Sequence, residues 1–133
     1  MSSQAADNGI VTVPTHRSVE EAANKLASLI EAKQIILFAR IDFAADAQRA
    51  GLAMNPSQLL VFGNPRAGTP LMQAAPTAAL DLPLKVLVWQ DDDSRVWLSY
   101  NATSYLQARH GASAELMKPI ESVVALVQAA AAD

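Results

Sequence analysis

The clearest structural signal in the sequence is a pair of alternating segments joined by a short polar stretch. Residues 84–90 and 95–101 alternate between two sets of side chains, and residues 91–94 between them read Asp-Asp-Asp-Ser. A period of two is typical of a β-strand, and a polar connection of this length joins antiparallel neighbours. The sequence therefore predicts a β-hairpin, so the fold must contain an antiparallel sheet.

A second strong signal predicts a helix on the N-terminal side of this hairpin. Ser18 and Glu21 have the spacing of a capping box, and apolar residues recur at helical spacing from Val19 to Ile30. The remaining elements are predicted from shorter patterns. Strands are expected over residues 10–14, 34–42 and 56–62, and helices over 43–50, 70–75 with one more turn at 76–80, 103–110 with Thr103 as its cap, and 118–131.

Residues 59–70 combine an apolar run with two glycines and two prolines. The pattern predicts a strand, a tight turn in which Gly63 and Gly68 can take positive φ, and a helix capped by Thr69. The turn resembles a phosphate-binding loop only superficially, because the lysine that would contact the phosphates is missing. Two interpretations stay open: a structural turn, which we favour, and a simple anion site at the helix start beside Arg66.

Composition limits the class of protein. The 133 residues are 51% hydrophobic, carry a formal net charge of −3 and include no cysteine. These values predict a single domain without disulfides, and no apolar run is long enough for a membrane span. Residues 1–8 have neither a basic start nor an apolar segment, so we expect a frayed tail and no secretory signal there, with the domain over residues 9–133. The net charge argues against nucleic acid as a partner, since binding to a phosphate backbone depends on lysine and arginine. A cytoplasmic location is compatible with the missing cysteines.

The order of the predicted elements is strand, helix, four strands with short helices between them, and a final helix. This order predicts an α+β fold in which helices cover one face of an antiparallel sheet. Several strands, residues 34–42 among them, are apolar on both faces at least in part. We therefore expect the second face to be covered as well, by a dimer partner or by a ligand.

Three phrases carry a resemblance to a known family: LVFGNP at residues 60–65, LDLPLKVLVW at 80–89 and ARHG at 108–111. Together they resemble the family known as domain of unknown function 302, over nearly the whole chain. The resemblance implies a fold similar to that of the TATA-box-binding protein, with a curved antiparallel sheet of about five strands and two longer helices on one face. It also implies a dimer without an agreed biochemical activity.

One position departs from the family pattern. Family members often carry Ile-Asp-His-Ala where residues 41–44 read Ile-Asp-Phe-Ala, so metal or haem ligation through that histidine is not expected here. His16 and His110 do not have the paired spacing of zinc ligands, and His16 is expected to be solvated. The aspartates at 91–93 lack the alternate spacing and the glycine of a calcium loop, so we predict a solvated turn, no metal and no cofactor.

Asp81 and His110 each have a structural and a functional interpretation. Asp81 precedes a strand and is expected to lock the Gly63 turn by accepting its backbone N–H bonds; the alternative is a general base or ligand anchor. His110 lies at a helix end stopped by Gly111, where the helix dipole favours positive charge. Its alternative role is ligand contact or acid–base chemistry.

We predict a cytoplasmic, homodimeric, non-catalytic module that binds a small, partly apolar or anionic ligand between the sheet and the Gly63 turn. One alternative is a small hydrolase that uses Asp81 or His110 as acid and base. The other is a purely structural or protein-interaction dimer. Residues assigned a structural role are Gly63, Pro65, Gly68 and Pro83, and those predicted to edge the ligand pocket are Asp42, Asn64, Arg66, Asp81, Tyr100 and His110.

Overall fold

A computed structural model describes residues 8–133 of the chain, so the predicted tail lies almost entirely outside the described residues. The described part contains a five-stranded antiparallel sheet with strand order β1-β5-β4-β3-β2. The strands are β1 Ile10–Thr15, β2 Ile36–Asp42, β3 Ser57–Gly63, β4 Leu84–Gln90 and β5 Val96–Asn101. The helices are α1 Val19–Ala32, α2 Phe43–Arg49, α3 Pro65–Ala74, α4 Thr103–His110, α5 Ala114–Met117 and α6 Ser122–Ala131, with 3-10 turns at Pro76–Leu80 and Lys118–Ile120.

The helices α1 and α6 pack against each other and on the same face of the sheet. α1 contacts β2, β3 and β4, whereas α6 contacts β1 and β5. The predicted α+β fold, an antiparallel sheet of five strands with two longer helices on one face, is confirmed. Between these layers lies a close-packed apolar core, whose large fully buried side chains include Leu26, Leu60, Phe62, Val86, Leu98 and Leu126.

The two strongest local predictions are confirmed. β4 and β5 pair as a hairpin, with Trp89 opposite Trp97. At the start of α1, the Glu21 N–H donates to the Ser18 hydroxyl at 3.1 Å and the Ser18 N–H donates to the Glu21 carboxylate at 2.9 Å. These two bonds form a capping box, and they hold the pKa of the Glu21 carboxyl below its ordinary value.

The sheet face opposite α1 and α6 is also apolar. Directly paired residues share a face, and the pairing aligns Ile41 with Leu59 and Leu59 with Leu87 in one row across β2, β3 and β4. The two tryptophan rings lie beside this row, with centroids 6.5 Å apart. The open face is defined here by six side chains that are only partly buried: Ile41, Leu59, Val61, Leu87, Trp89 and Trp97.

Within one chain, β2 is not covered on both faces. β2 lies at the edge of the sheet and pairs only with β3, and the side chains of Ile36, Leu37 and Phe38 are exposed, Phe38 to 51%. A register shift between Leu37 and Ala39 leaves Phe38 without a paired residue. Such a bulge breaks the two-residue alternation and redirects the side chains, which the sequence pattern does not indicate.

The helix predicted to begin at Pro70 begins five residues earlier. The N-cap of α3 is Asn64, with Pro65 at the first helical position, and Thr69 lies inside the helix instead of capping it. Gly63 ends β3 and Gly68 lies within α3, and neither takes a positive φ. Asn-Pro and Thr-Pro carry the same start signal, and the structure uses the earlier one.

Two further helix predictions need correction. Thr103 is the first residue of α4, and the N-cap is Ala102, which makes no side-chain cap bond. The range predicted as one helix, residues 118–131, begins with the 3-10 turn and becomes α-helical only in α6, because Pro119 in the turn has no N–H to continue an α-helix. Among residues 8–133, the helices are too short or too polar to cross a membrane.

Two glycine substitutions should change stability in opposite directions. Gly68→Ala is expected to raise the free energy of unfolding by about 0.5–1 kcal/mol, since Gly68 lies in a helix and an added Cβ would have ordinary contacts with Leu82 and Met72, at 3.7 and 3.8 Å. Gly111→Ala should lower it by about 1 kcal/mol, because Gly111 ends α4 with φ of 65°. Urea unfolding of both variants measures the two changes; equal signs would contradict the prediction.

Candidate functional site

A cavity of about 630 Å³ lies on the helix side of the sheet, beside the turn from β3 into α3. α3, the start of β4, the Phe38 bulge of β2 and the start of α6 surround it. Its polar lining groups are few: Lys33, Asn64, Thr69 and Ser122. Its walls are mostly apolar and include Ile35, Phe38, Phe62, Leu82, Leu84 and Ile120.

The four motif residues predicted to be structural all line this cavity: Gly63, Pro65, Gly68 and Pro83. An added Cβ at Gly63 would lie 3.5 Å from Pro83 and 3.8 Å from Phe38, so it would fit without overlap but would occupy space between them. Since the backbone does not require glycine at positions 63 and 68, their small size has a different consequence. Because neither residue has a side chain, the space beside Pro83 and Phe38 and the space beside Leu82 and Met72 remain free.

The structure gives no support to an anion site at the start of α3. Pro65 has no N–H, the Arg66 N–H donates to the Asn64 side-chain oxygen at 2.9 Å, and the next two N–H groups donate to the Asn64 carbonyl oxygen. The donors that an anion needs at a helix start are therefore occupied in this first turn. Arg66 is exposed and is not among the residues that line the cavity.

The six residues predicted to edge one pocket do not share a cavity, and of them only Asn64 lines the one described above. Asp42 caps α2 by accepting the Ala45 N–H at 3.0 Å, and it borders a second cavity of about 590 Å³ at another edge of the molecule. Tyr100 is buried on the helix-facing side of β5, where desolvation raises the pKa of its phenol.

Asp81 and His110 form a polar pair with Thr77. The Nε2 atom of His110 donates to the Asp81 carboxylate at 2.5 Å, and its Nδ1 atom lies 2.8 Å from the Thr77 hydroxyl. The side chains of His110 and Asp81 are only 4% and 15% exposed, and Arg109 approaches the same carboxylate at 3.3 Å. The pair joins the end of α4 to the segment between the 3-10 turn and β4.

The surroundings of this pair leave no room for a substrate. The space beside Asp81 and His110 measures about 10 Å³, which is at most the volume needed for one water molecule. The expected partner of Asp81 was wrong: in the described residues its carboxylate is bonded to side chains of α4, and not to the backbone of the Gly63 turn. A structural role for Asp81 stays a prediction, now with Arg109 and His110 as its partners.

A second polar cluster was not predicted from the sequence. The buried Gln58 of β3 accepts a bond from Arg40 Nε at 2.8 Å and donates to Glu20 at 2.8 Å, and Arg40 also bonds to Glu20 at 3.1 Å. This closed ring connects the edge strand β2 to its neighbour and to the start of α1. Only the alternation of β3, which turns Gln58 toward the helices, could have indicated it.

The remaining acidic and histidine candidates are structural or solvated. Asp91 accepts the Trp97 indole N–H and the backbone N–H groups of Arg95 and Asp93, each at 2.9 Å, so it stabilises the hairpin turn. These bonds, the one from Trp97 foremost, hold the pKa of the Asp91 carboxyl below its ordinary value. His16 is 89% exposed. Within residues 8–133, no cluster of three histidine or acidic side chains could hold a metal ion.

Two curated relatives are channel proteins that are much longer than the matched segment. The chain is 41% identical over 104 residues to "Fluoride-specific ion channel FluC 1" of Brucella suis biovar 1 (strain 1330), and equally to a protein of the same name from Brucella abortus biovar 1 (strain 9-941). The match covers 78% of this chain but only 41% and 38% of those proteins. The chain spans about two fifths of their length. The channel name therefore describes proteins whose greater part lies outside the segment matched to this chain.

A solved structure and a family model cover nearly the whole chain. The crystal structure of an uncharacterised conserved DUF302 protein from Bacillus stearothermophilus superposes with a TM-score of 0.74. It covers 92% of this chain and 95% of that one, and at 15% identity this similarity concerns the fold alone. The model of the family described as "Domain of unknown function DUF302" matches residues 11–131. The chain therefore belongs to the DUF302 family.

Proposed function

We propose that this chain is a cytoplasmic, dimeric, non-catalytic module that binds a small, partly apolar ligand in the cavity beside Gly63. The observation that carries the proposal is the cavity itself. Its volume of about 630 Å³ lies within the usual range of small-molecule sites, and its apolar walls with a few polar groups have the composition of such sites.

The geometry of Asp81 and His110 favours binding over hydrolysis. Both ring nitrogens of His110 already have partners within the protein, and the adjoining space of about 10 Å³ admits no substrate. A hydrolase would need this pair beside a substrate cavity. The pair is instead separate from the cavity that we propose for the ligand.

Filling the cavity tests the ligand proposal. The wild-type protein, purified from its own host, is expected to retain a reproducible extra mass in native mass spectrometry. Gly68→Leu should lose this mass because the new side chain would project toward Leu82 and Met72 in the cavity wall. Ala74→Leu, in the exposed last turn of the same helix, should keep it. A wild-type protein that carries no extra mass and binds no apolar probe would overturn the proposal.

The open face supports a homodimer. It offers a connected set of aliphatic and indole side chains that are only partly buried within one chain, and such a patch is typical of an interface. Leu87 lies in the middle of this face, paired with Leu59 on one side and Ser99 on the other. Two copies that meet through this face would bury the same residues on both sides.

A charge in the open face should separate the two copies. Native mass spectrometry is expected to give a dimer for the wild type and a monomer for Leu87→Glu, because a carboxylate would be buried in the interface without a partner. Leu80→Glu is the matched control, since Leu80 is exposed and lies outside the open face. A wild-type monomer, or a dimer that persists in Leu87→Glu, would contradict this interface.

A further inference from the structure

The lining of the 630 Å³ cavity carries charge of one sign only. Of its 17 lining residues, Lys33 alone is charged, and neither aspartate nor glutamate is among them. A cavity with a single cation and no carboxylate favours a ligand with negative charge and disfavours one with positive charge. The charge of the lining is therefore positive although most of the wall is apolar.

Lys33 is available for such a ligand. Lys25 donates to the Ala132 carbonyl and Lys85 to the Pro83 carbonyl, whereas the ammonium of Lys33 has no hydrogen bond or ion pair with any residue in 8–133. Lys33 lies just after the last residue of α1, where the negative end of the helix dipole stabilises a cation. The dipole of α1 thus stabilises the positive charge of Lys33, and no acidic side chain in residues 8–133 neutralises it.

The other polar lining groups add donors to this cation. The Asn64 side-chain oxygen accepts the Arg66 N–H, so its amide NH₂ is the group left to bond a ligand. Thr69 and Ser122 contribute hydroxyls, which can donate as well. Aromatic and aliphatic side chains, Phe38, Phe62 and Leu84 among them, surround the rest of the space. An acceptor-rich head and an apolar body match these two parts.

We infer that the ligand is an amphipathic anion, an apolar chain or ring with one carboxylate-like head that bonds to Lys33. This inference rests on the proposed function, since it assigns the chemical class of the ligand in the same cavity. A single ammonium suits a singly charged head, and the apolar body gains by leaving water for the cavity. The corresponding alcohol keeps the gain from burying its apolar body and loses the interaction of a charged head with Lys33.

Three probes with the same ten-carbon chain separate these two contributions: decanoate, decanol and decylamine. Each is measured by isothermal titration, decanoate and decylamine below their critical micelle concentrations and decanol below its solubility limit. We expect decanoate to bind about twofold to fivefold more tightly than decanol, the scale of one ion pair at an exposed lysine, and decylamine to bind most weakly. The advantage of decanoate should shrink as the salt concentration rises.

Lys33→Gln is expected to abolish the advantage of decanoate and to leave the affinity for decanol unchanged. Lys25→Gln, within α1 but outside the cavity, should behave like the wild type. If none of the three probes binds, the proposed function itself fails. If decanol binds as tightly as decanoate, or if decanoate keeps its advantage in Lys33→Gln, the cavity remains a ligand site and the assignment of an anion to Lys33 is overturned.

Discussion

His110→Ala is expected to lower the free energy of unfolding by about 2–4 kcal/mol. The substitution removes a buried ring and leaves the Asp81 carboxylate, only 15% exposed, with the more distant Arg109 as its remaining partner. A charged group that loses its hydrogen-bond partner in a buried position costs more than the bond contributed. The end of α4 would also lose its connection to the segment before β4. Urea unfolding monitored by tryptophan fluorescence gives the change.

The chain contains its own control for this prediction. His16 also lies beside an aspartate, with its Nδ1 atom 3.1 Å from Asp133, but that pair is exposed. His16→Ala should therefore change stability by no more than about 0.5 kcal/mol. Asp81→Asn should destabilise the protein in the same direction as His110→Ala. If either substitution in the buried pair left stability unchanged while abolishing ligand binding, the pair would be part of a binding site instead of a structural connection.

Local signals predicted the local structure well. The hairpin and the capping box each depend on residues close in sequence, so the pattern contains the whole interaction. The start of α3 was ambiguous because two N-cap–proline pairs lie five residues apart, and local rules rank them equally. The choice between Asn64 and Thr69 depends on where β3 ends, and the last residue of β3 is held by pairing with the distant strand β2.

The position of β2 was not predictable from its own pattern. Its first residues are apolar enough for a central strand, yet the order of the sheet places it at an edge. Strand order depends on contacts between distant segments, and a bulge such as that at Phe38 changes which way a side chain points without a composition signal. Phe38 of this apolar edge strand lines the cavity.

A cavity lies beside Gly63, where the sequence pattern predicted a pocket, but most of the polar residues expected to edge it do not line it. The motif around Gly63 does border the cavity, while the polar residues expected to join it, such as Asp42 and Tyr100, lie elsewhere. Polarity in a motif does not distinguish a residue that caps a helix from one that contacts a ligand. Lys33 was not predicted to line the cavity, because a lysine just after a helix is common and its sequence context does not indicate a site. Its position at the cavity depends on the tertiary fold.

Two phenylalanines line the same cavity and should respond differently to truncation. Phe62 is 1% exposed and belongs to the core, so Phe62→Ala is expected to lower the free energy of unfolding by about 3–5 kcal/mol. Phe38 is half exposed on the edge strand, so Phe38→Ala should cost less than about 1 kcal/mol. Thermal and urea unfolding of both variants, without added ligand, measure this contrast.

Phe38→Ala should have a small effect on stability but a clear effect on ligand affinity. Phe38→Ala removes apolar surface from the cavity mouth in a protein that remains folded, so its affinity for an apolar probe such as decanol should fall by a measurable factor. Saturating decanol should raise the melting temperature of Phe62→Ala, since a ligand that binds only the folded state stabilises it by mass action. If the probe stabilises Phe62→Ala no more than a variant with a filled cavity, Gly68→Leu, the space beside Phe62 is not where apolar ligands bind.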